Sequence, residues 1–103
     1  MKYERTERFK RDYRKLAKPE REEFRRVVRE EFHPALERHI AEPGANWPKR
    51  LRVKDVKGAR GVLELTWSFS DPDGRATWEW FEVDGEPAIR WRRIGSHAIF
   101  AEP

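Results

Sequence analysis

Val62-Leu63-Glu64-Leu65-Thr66-Trp67-Ser68-Phe69, then Asp71-Pro72-Asp73-Gly74, then Arg75-Ala76-Thr77-Trp78-Glu79-Trp80, is the stretch whose reading decides the fold. Leu63, Leu65, Trp67 and Phe69 alternate with Glu64, Thr66 and Ser68, the period of a strand with one buried face. The Asp-Pro-Asp-Gly run signals a turn, and Ala76, Trp78 and Trp80 then oppose Thr77 and Glu79, so a return strand is expected from Arg75 to Val83. Val83-Asp84-Gly85-Glu86-Pro87 reads as a second turn and Ala88 to Ile94 as the next strand, extended by Ala98-Ile99-Phe100 after a break at Gly95-Ser96. Upstream, Leu51 and Val53 alternate with Arg50, Arg52 and Lys54, which predicts a basic first strand.

Before residue 46 the period is helical. Over residues 4–17, Phe9, Tyr13, Leu16 and Ala17 form a narrow apolar stripe among charges, and Lys18-Pro19 ends that helix. From Glu20 onward Phe24, Val27, Val28, Phe32, Leu36 and Ile40 continue the spacing as a longer second helix. Pro34 predicts a kink or short break, because its ring removes an amide donor and disfavours helical geometry at His33. Residues 42–46 form a loop. The expectation is an α+β domain spanning residues 1–103, with an N-terminal helical hairpin packed on an antiparallel sheet of about four strands.

With 103 residues the chain has room for one core, and five Trp, six Phe and two Tyr offset an apolar fraction of only 37%. The absence of cysteine excludes disulfides and thiolate chemistry. No apolar run suits a signal peptide or a membrane span, which predicts a cytoplasmic protein. The net charge of +4 hides its distribution: residues 44–62 hold six basic side chains and one acidic, residues 63–87 one basic and seven acidic, and residues 88–100 three arginines and no acid. Alternation puts Arg50, Arg52 and Lys54 opposite Leu51 and Val53, and Arg90 and Arg92 opposite Ile89 and Trp91. Two readings stand: a phosphate-binding sheet face, or a ladder in which Glu64 and Glu79 pair with Arg90 and Arg92. Trp78, Trp80 and Trp91 read as core rather than as base-stacking platforms. His33 and His39, six apart, lack the spacing for a shared metal and read as surface or capping residues. Asp71 and Asp73 fit a β-turn and lack the other ligands of a calcium loop.

The most distinctive stretch is Trp91-Arg92-Arg93-Ile94-Gly95-Ser96-His97-Ala98-Ile99-Phe100. It resembles the R-I-G-T-H-x-x-F ending of the RelE/ParE toxin superfamily, with Ser96 in place of the commoner Thr. The charged helical hairpin, the basic Leu51-Arg52-Val53-Lys54 segment and the Gly-containing turn before Val62-Leu63-Glu64-Leu65 agree in order and length. The resemblance implies a RelE-like microbial ribonuclease fold and the toxin of a type II toxin-antitoxin system. Its partners would be a cognate antitoxin, the ribosome and mRNA. Family members acting on the ribosome cleave mRNA by attack of a 2′-hydroxyl on the adjacent phosphate, without metal or cofactor. The chemistry needs a proton acceptor, cations around the pentavalent phosphate and a proton donor.

By that resemblance the catalytic candidates are His97, Arg92 and Arg90, with Lys49, Arg50, Arg52, Lys54, Lys57, Arg60 and Arg93 as RNA-binding cations. A structural role for His97, bonding its own backbone in a turn, stands against this. No tyrosine follows residue 13, so the C-terminal tyrosine that some members use has no counterpart. Arg90 and Arg92 rank ahead of Arg93 by parity, an order that a bulge before Gly95 reverses. A ParE-like gyrase poison and a non-catalytic RNA-binding module of the same fold remain as alternatives.

Overall fold

A computed structural model describes residues 1–69 and 73–103. The chain runs β1 (Lys2–Arg5), α1 (Glu7–Lys15), α2 (Lys18–Val27), a π-helical turn (Val28–Phe32), α3 (His33–Ala41), β2 (Lys54–Asp55), β3 (Val62–Ser68), β4 (Gly74–Val83) and β5 (Glu86–Gly95). Short 3₁₀ turns occupy Lys49–Leu51 and His97–Ala101. The α+β class and the helical hairpin on a sheet are present. The sheet has five strands in the order β1-β5-β4-β3-β2 and is mixed rather than antiparallel, because β1 lies parallel to β5.

Residues 2–5 are therefore a strand that takes in Glu4 and Arg5, the first two residues of the expected helix, with Lys2, Tyr3, Glu4 and Arg5 beside Ala88, Ile89, Arg90 and Trp91. Thr6 ends this ladder and starts α1. Its amide donates to Trp91 O (3.0 Å), and its hydroxyl donates to Arg92 O (2.8 Å) while accepting from Phe9 N (3.0 Å). One residue thus pins the helix start to the strand that carries the arginines. At α2 the Glu20 carboxylate accepts from Ala17 N at 2.8 Å, the reciprocal half of a capping box.

In place of the kink or short break expected at Pro34, the helix continues through it after a π-helical turn over Val28–Phe32. His33 keeps helical geometry (φ −59, ψ −46), and its amide reaches back five residues to Val28 O. The widened turn accommodates the proline one residue later without interrupting the rod from 18 to 41. Along that rod Phe24, Val27, Phe32 and Leu36 face the sheet and meet Leu65, Trp67, Ala76, Trp78, Ile89, Trp91 and Ile94, with Phe9 joining from α1. The rings meet edge-on: Phe24 lies 5.1 Å from Trp91 and Phe32 5.1 Å from Trp78, at interplanar angles of 72° and 73°. Trp67 Nε1 donates to Arg75 O at 2.9 Å.

The basic first strand is also corrected. Pro48 opens a 3₁₀ turn, Arg52 sits in the left-handed region (φ 48, ψ 44), and only Lys54 and Asp55 pair with β3. Turn geometry, rather than alternation, puts Leu51 in the core and Val53 against it. The strand extension expected at Ala98–Phe100 is a 3₁₀ turn instead, capped by the Ser96 hydroxyl. Of the two expected hairpin turns, that at Asp84-Gly85 has both residues at positive φ, as a tight two-residue hairpin requires. The other includes Asp71 and Pro72, which lie outside the described residues.

Candidate nucleic-acid interface

The sheet face opposite the helices carries Glu64, Thr66, Thr77, Glu79, Arg90 and Arg92 by alternation. It is not bare: Thr66 and Thr77 are fully buried and Glu64 nearly so. The 97–103 segment folds back onto this side, with Ile99 buried against Gly95, where an added Cβ would lie 3.0 Å from Ile99 Cγ2.

The β5 arginines reach this face through a bulge. Thr77 pairs with Arg93 and Trp78 with Trp91, so Arg92 is the extra residue. The bulge leaves Arg92 beside Arg90 on Glu79, whose carboxylate accepts from Arg92 Nη1 at 2.8 Å and from Arg90 Nη1 at 3.1 Å. Arg90 also donates to Glu4 at 3.1 Å and lies 4.3 Å over the Phe81 ring. Burial alone would push the Glu79 carboxyl up, but the hydrogen bonds from Arg92 and Arg90 outweigh it and hold the group below its ordinary range. The Arg90 guanidinium is correspondingly pushed up, chiefly by its bonds to Glu4 and Glu79. Arg93 turns to α1 and forks onto Asp12 (2.7 and 3.2 Å), whose carboxylate also accepts from Ile94 N. The ladder reading thus describes Glu79. Glu64 pairs with Arg75 instead, at 3.1 Å.

The other cations divide. Arg50 bonds Glu31 at 3.4 Å and lies 3.8 Å over Phe69; Arg52 bonds Asp73 at 3.0 Å. The first pair takes Arg50 toward the helical side, whereas Asp73 also bonds Arg75 at 3.4 Å and Arg75 bonds Glu64, so Arg52 stays at the edge of the open face. Among the described residues no carboxylate lies at ion-pair distance from Lys49, Lys54, Lys57 or Arg60, all four of which are exposed. Around the open sheet face, the cations without a described carboxylate partner therefore sit on the 49–60 segment, while those on β5 are paired; β1 and the helices carry further exposed cations of the same kind, among them Lys2, Arg5, Arg11 and Arg29.

The two regions meet at a shallow groove of about 470 Å³ lined by Thr6, Arg8, Ala59, Arg92, Arg93, Glu102 and Pro103. His97 opens the neighbouring 3₁₀ turn. Its ring is exposed, edge-on to Phe100 at 5.1 Å, and forms no hydrogen bond with any described residue. The backbone bond imagined for a purely structural turn histidine is made by Ser96, whose hydroxyl accepts from Ala98 N at 3.4 Å.

The helix histidines are more engaged than surface residues. His33 bridges Tyr3 Oη (2.6 Å) and Glu37 (3.2 Å), and burial, reinforced by Glu37, pushes the Tyr3 hydroxyl up to about 12. His39 stacks on Trp47 at 4.7 Å and on Trp80 at 6.0 Å. Trp78 and Trp91 are core residues and Trp80 packs against the core. Sequence reasoning missed Arg8, Asp12, Thr77 and the 102–103 segment. Their contacts span long separations and leave no local pattern.

No three acidic, His or Cys side chains gather as a metal-binding group among the described residues, and no helix is long and apolar enough to cross a membrane. Comparison with protein-family models, curated proteins and solved structures finds no match, so the functional argument rests on the residues themselves.

Proposed function

We propose that this chain is a toxin of the RelE/ParE kind, with a RelE-like fold, that docks on the ribosome in the cytoplasm and cleaves mRNA through 2′-hydroxyl attack on the adjacent phosphate. The observation that carries the reading is the groove that brings Ala59, from the segment of Lys54, Lys57 and Arg60, against Arg92, with His97 exposed at the start of the 3₁₀ turn that leads into the groove-lining Glu102 and Pro103 and bonded to no described residue. Lysines without acidic partners bind phosphate without first losing an ion pair. His97 supplies an imidazole, a group suited to general acid–base chemistry, and no described residue occupies either of its nitrogens. Arg92 faces the groove with its side chain 37% exposed and is the cation placed to meet developing charge. Arg90, two pairs deep in carboxylates, has the weaker case, and Arg93 serves as a brace between α1 and the sheet.

A flexible RNA strand is not held in line by a few surface cations, so the ribosome supplies the geometry. A cognate antitoxin with acidic residues over Lys54, Lys57 or Arg92 would switch the protein off, with an affinity that falls as salt rises. Neutralisation of all three β5 arginines favours a second reading, a ParE-like gyrase poison that uses the same face to bind protein. The test is a purified cleavage assay on one message, free and ribosome-bound. The nuclease reading predicts cuts with 2′,3′-cyclic phosphate ends on ribosomes and very slow cutting of free RNA. Equal rates on both substrates contradict ribosome dependence, and no cutting on either favours the protein-binding alternative.

A further inference from the structure

Four donors from three elements converge on Glu102 and Pro103. Arg8 Nη1 from α1 meets the Glu102 carboxylate at 2.6 Å, and Arg93 Nη1 donates to Glu102 O at 3.0 Å. Arg92 Nε and the Thr77 hydroxyl both donate to Pro103 O, at 3.1 and 3.0 Å. The acceptors form a cluster of oxygens held by three guanidinium groups and a hydroxyl. Thr77 is fully buried, so its donor is orphaned whenever that oxygen leaves, and the seat requires an acceptor at all times. The occupant is held by little else: Glu102 is exposed, Pro103 only half-buried, and the Arg8–Glu102 pair is open to water with side-chain exposures of 49% and 67%. A phosphate group presents the same array of oxygens with more charge, and arginine engages it bidentately.

We propose that this groove is a phosphate site whose resident occupant is the 102–103 segment, and that a phosphodiester of an RNA strand enters by displacing it. The phosphate part stands independently of the nuclease reading; the identification of the phosphate with RNA rests on it. Glu102 then acts as a built-in competitor, and Arg8, which pairs with its carboxylate, becomes the cation released to the incoming anion.

The experiment titrates the full chain with inorganic pyrophosphate, and separately with a 2′-O-methylated RNA hexamer that cannot be cleaved. Amide resonances and affinity are read for the parent, Glu102→Gln and Arg8→Gln. Pyrophosphate is expected to move the Glu102 and Thr77 amides saturably. Glu102→Gln should tighten binding about 2- to 5-fold, the range of an exposed ion pair, and Arg8→Gln should weaken it by a similar factor. The hexamer should follow the same order. Movement confined to Lys54, Lys57 and Arg60, or an affinity indifferent to Glu102→Gln, overturns the site. Pyrophosphate binding without hexamer binding overturns only the assignment to RNA. Groove binding by both probes with no cleavage on ribosomes leaves this site standing and removes the nuclease reading. Cleavage with a silent groove does the reverse.

Discussion

Glu79→Gln separates what the β5 arginines do for the fold from what they do for a ligand. The side chain is 20% exposed and takes hydrogen bonds from Arg92 and Arg90, while the amide keeps one strong acceptor and loses the charge. Arg90 retains Glu4 and Phe81, and Arg92 retains Pro103 O, so the cost is partial. Hydrogen bonds to charged groups contribute about 1.5–3 kcal/mol each, which puts the loss near ~1–2 kcal/mol and the fall in Tm at roughly 4–16 °C for a domain of this size. The sign with pH follows from the depressed carboxyl: its stabilisation is present above the ordinary carboxylate range and is lost as pH falls through the folded value. The gap between parent and variant should therefore close on acidification. RNA binding should change in the opposite sense. Each phosphate neutralised on a single strand contributes a slope of about −0.7 to log K against log salt, so Arg92, whose described carboxylate partner is Glu79, should steepen the slope by about 0.7 when released, while Arg90 stays on Glu4. Fluorescence anisotropy of a labelled RNA 12-mer between 50 and 300 mM KCl, taken as roughly the accessible range, reads the slope directly. An unchanged slope in a folded Glu79→Gln protein would refute the claim that Glu79 withholds Arg92 from phosphate.

His97→Gln should leave ribosome binding intact and lower cleavage by about 10² to 10⁴, whereas Lys57→Ala should cost only salt-sensitive affinity; cosedimentation and single-turnover cleavage separate the two, and full activity in His97→Gln makes that residue a bystander. Gly74→Ala places a Cβ 2.5 Å from Trp67 Cε2 and 2.8 Å from Ser68 Cβ, so it should destabilise by about 1–3 kcal/mol in a urea melt, and a neutral result would mean that Trp67 has room to move. The Tyr3 hydroxyl, raised to about 12, contributes stability that is complete below about 10 and lost as pH rises toward 12, so Tyr3→Phe should flatten the alkaline limb of the stability curve. Equal slopes for parent and variant across that limb contradict the partial shielding of the hydroxyl beside His33, on a residue 37% exposed as a whole.

The helical rod and the β3-β4-β5 meander were legible because their burial is periodic: Phe24, Val27, Phe32 and Leu36 at helical spacing, Leu65 and Trp67 against Ala76 and Trp78 at strand spacing. β1 was not, since all four of its side chains are exposed and its place is set by pairing with a strand more than eighty residues away. At residues 49–54 a turn imitates strand alternation, because one buried Leu and one half-buried Val two apart fit either geometry. That error put Arg50 on the open face, whereas it turns to Glu31 on the helical side. Alternation did place Glu79 with Arg90 and Arg92. It gave no sign of the bulge at Arg92, which depends on the partner strand, nor of the seat around Glu102 and Pro103, which is built from α1, β4 and β5 at once.

The most direct test of the central claim is primer extension on cellular mRNA after brief induction of the unmodified chain. The account predicts new 5′-hydroxyl ends at fixed positions within codons of translated messages, and none when translation initiation is blocked. Intact messages in growth-arrested cells, together with gyrase-dependent DNA breaks, would contradict it and assign the basic face to a protein target.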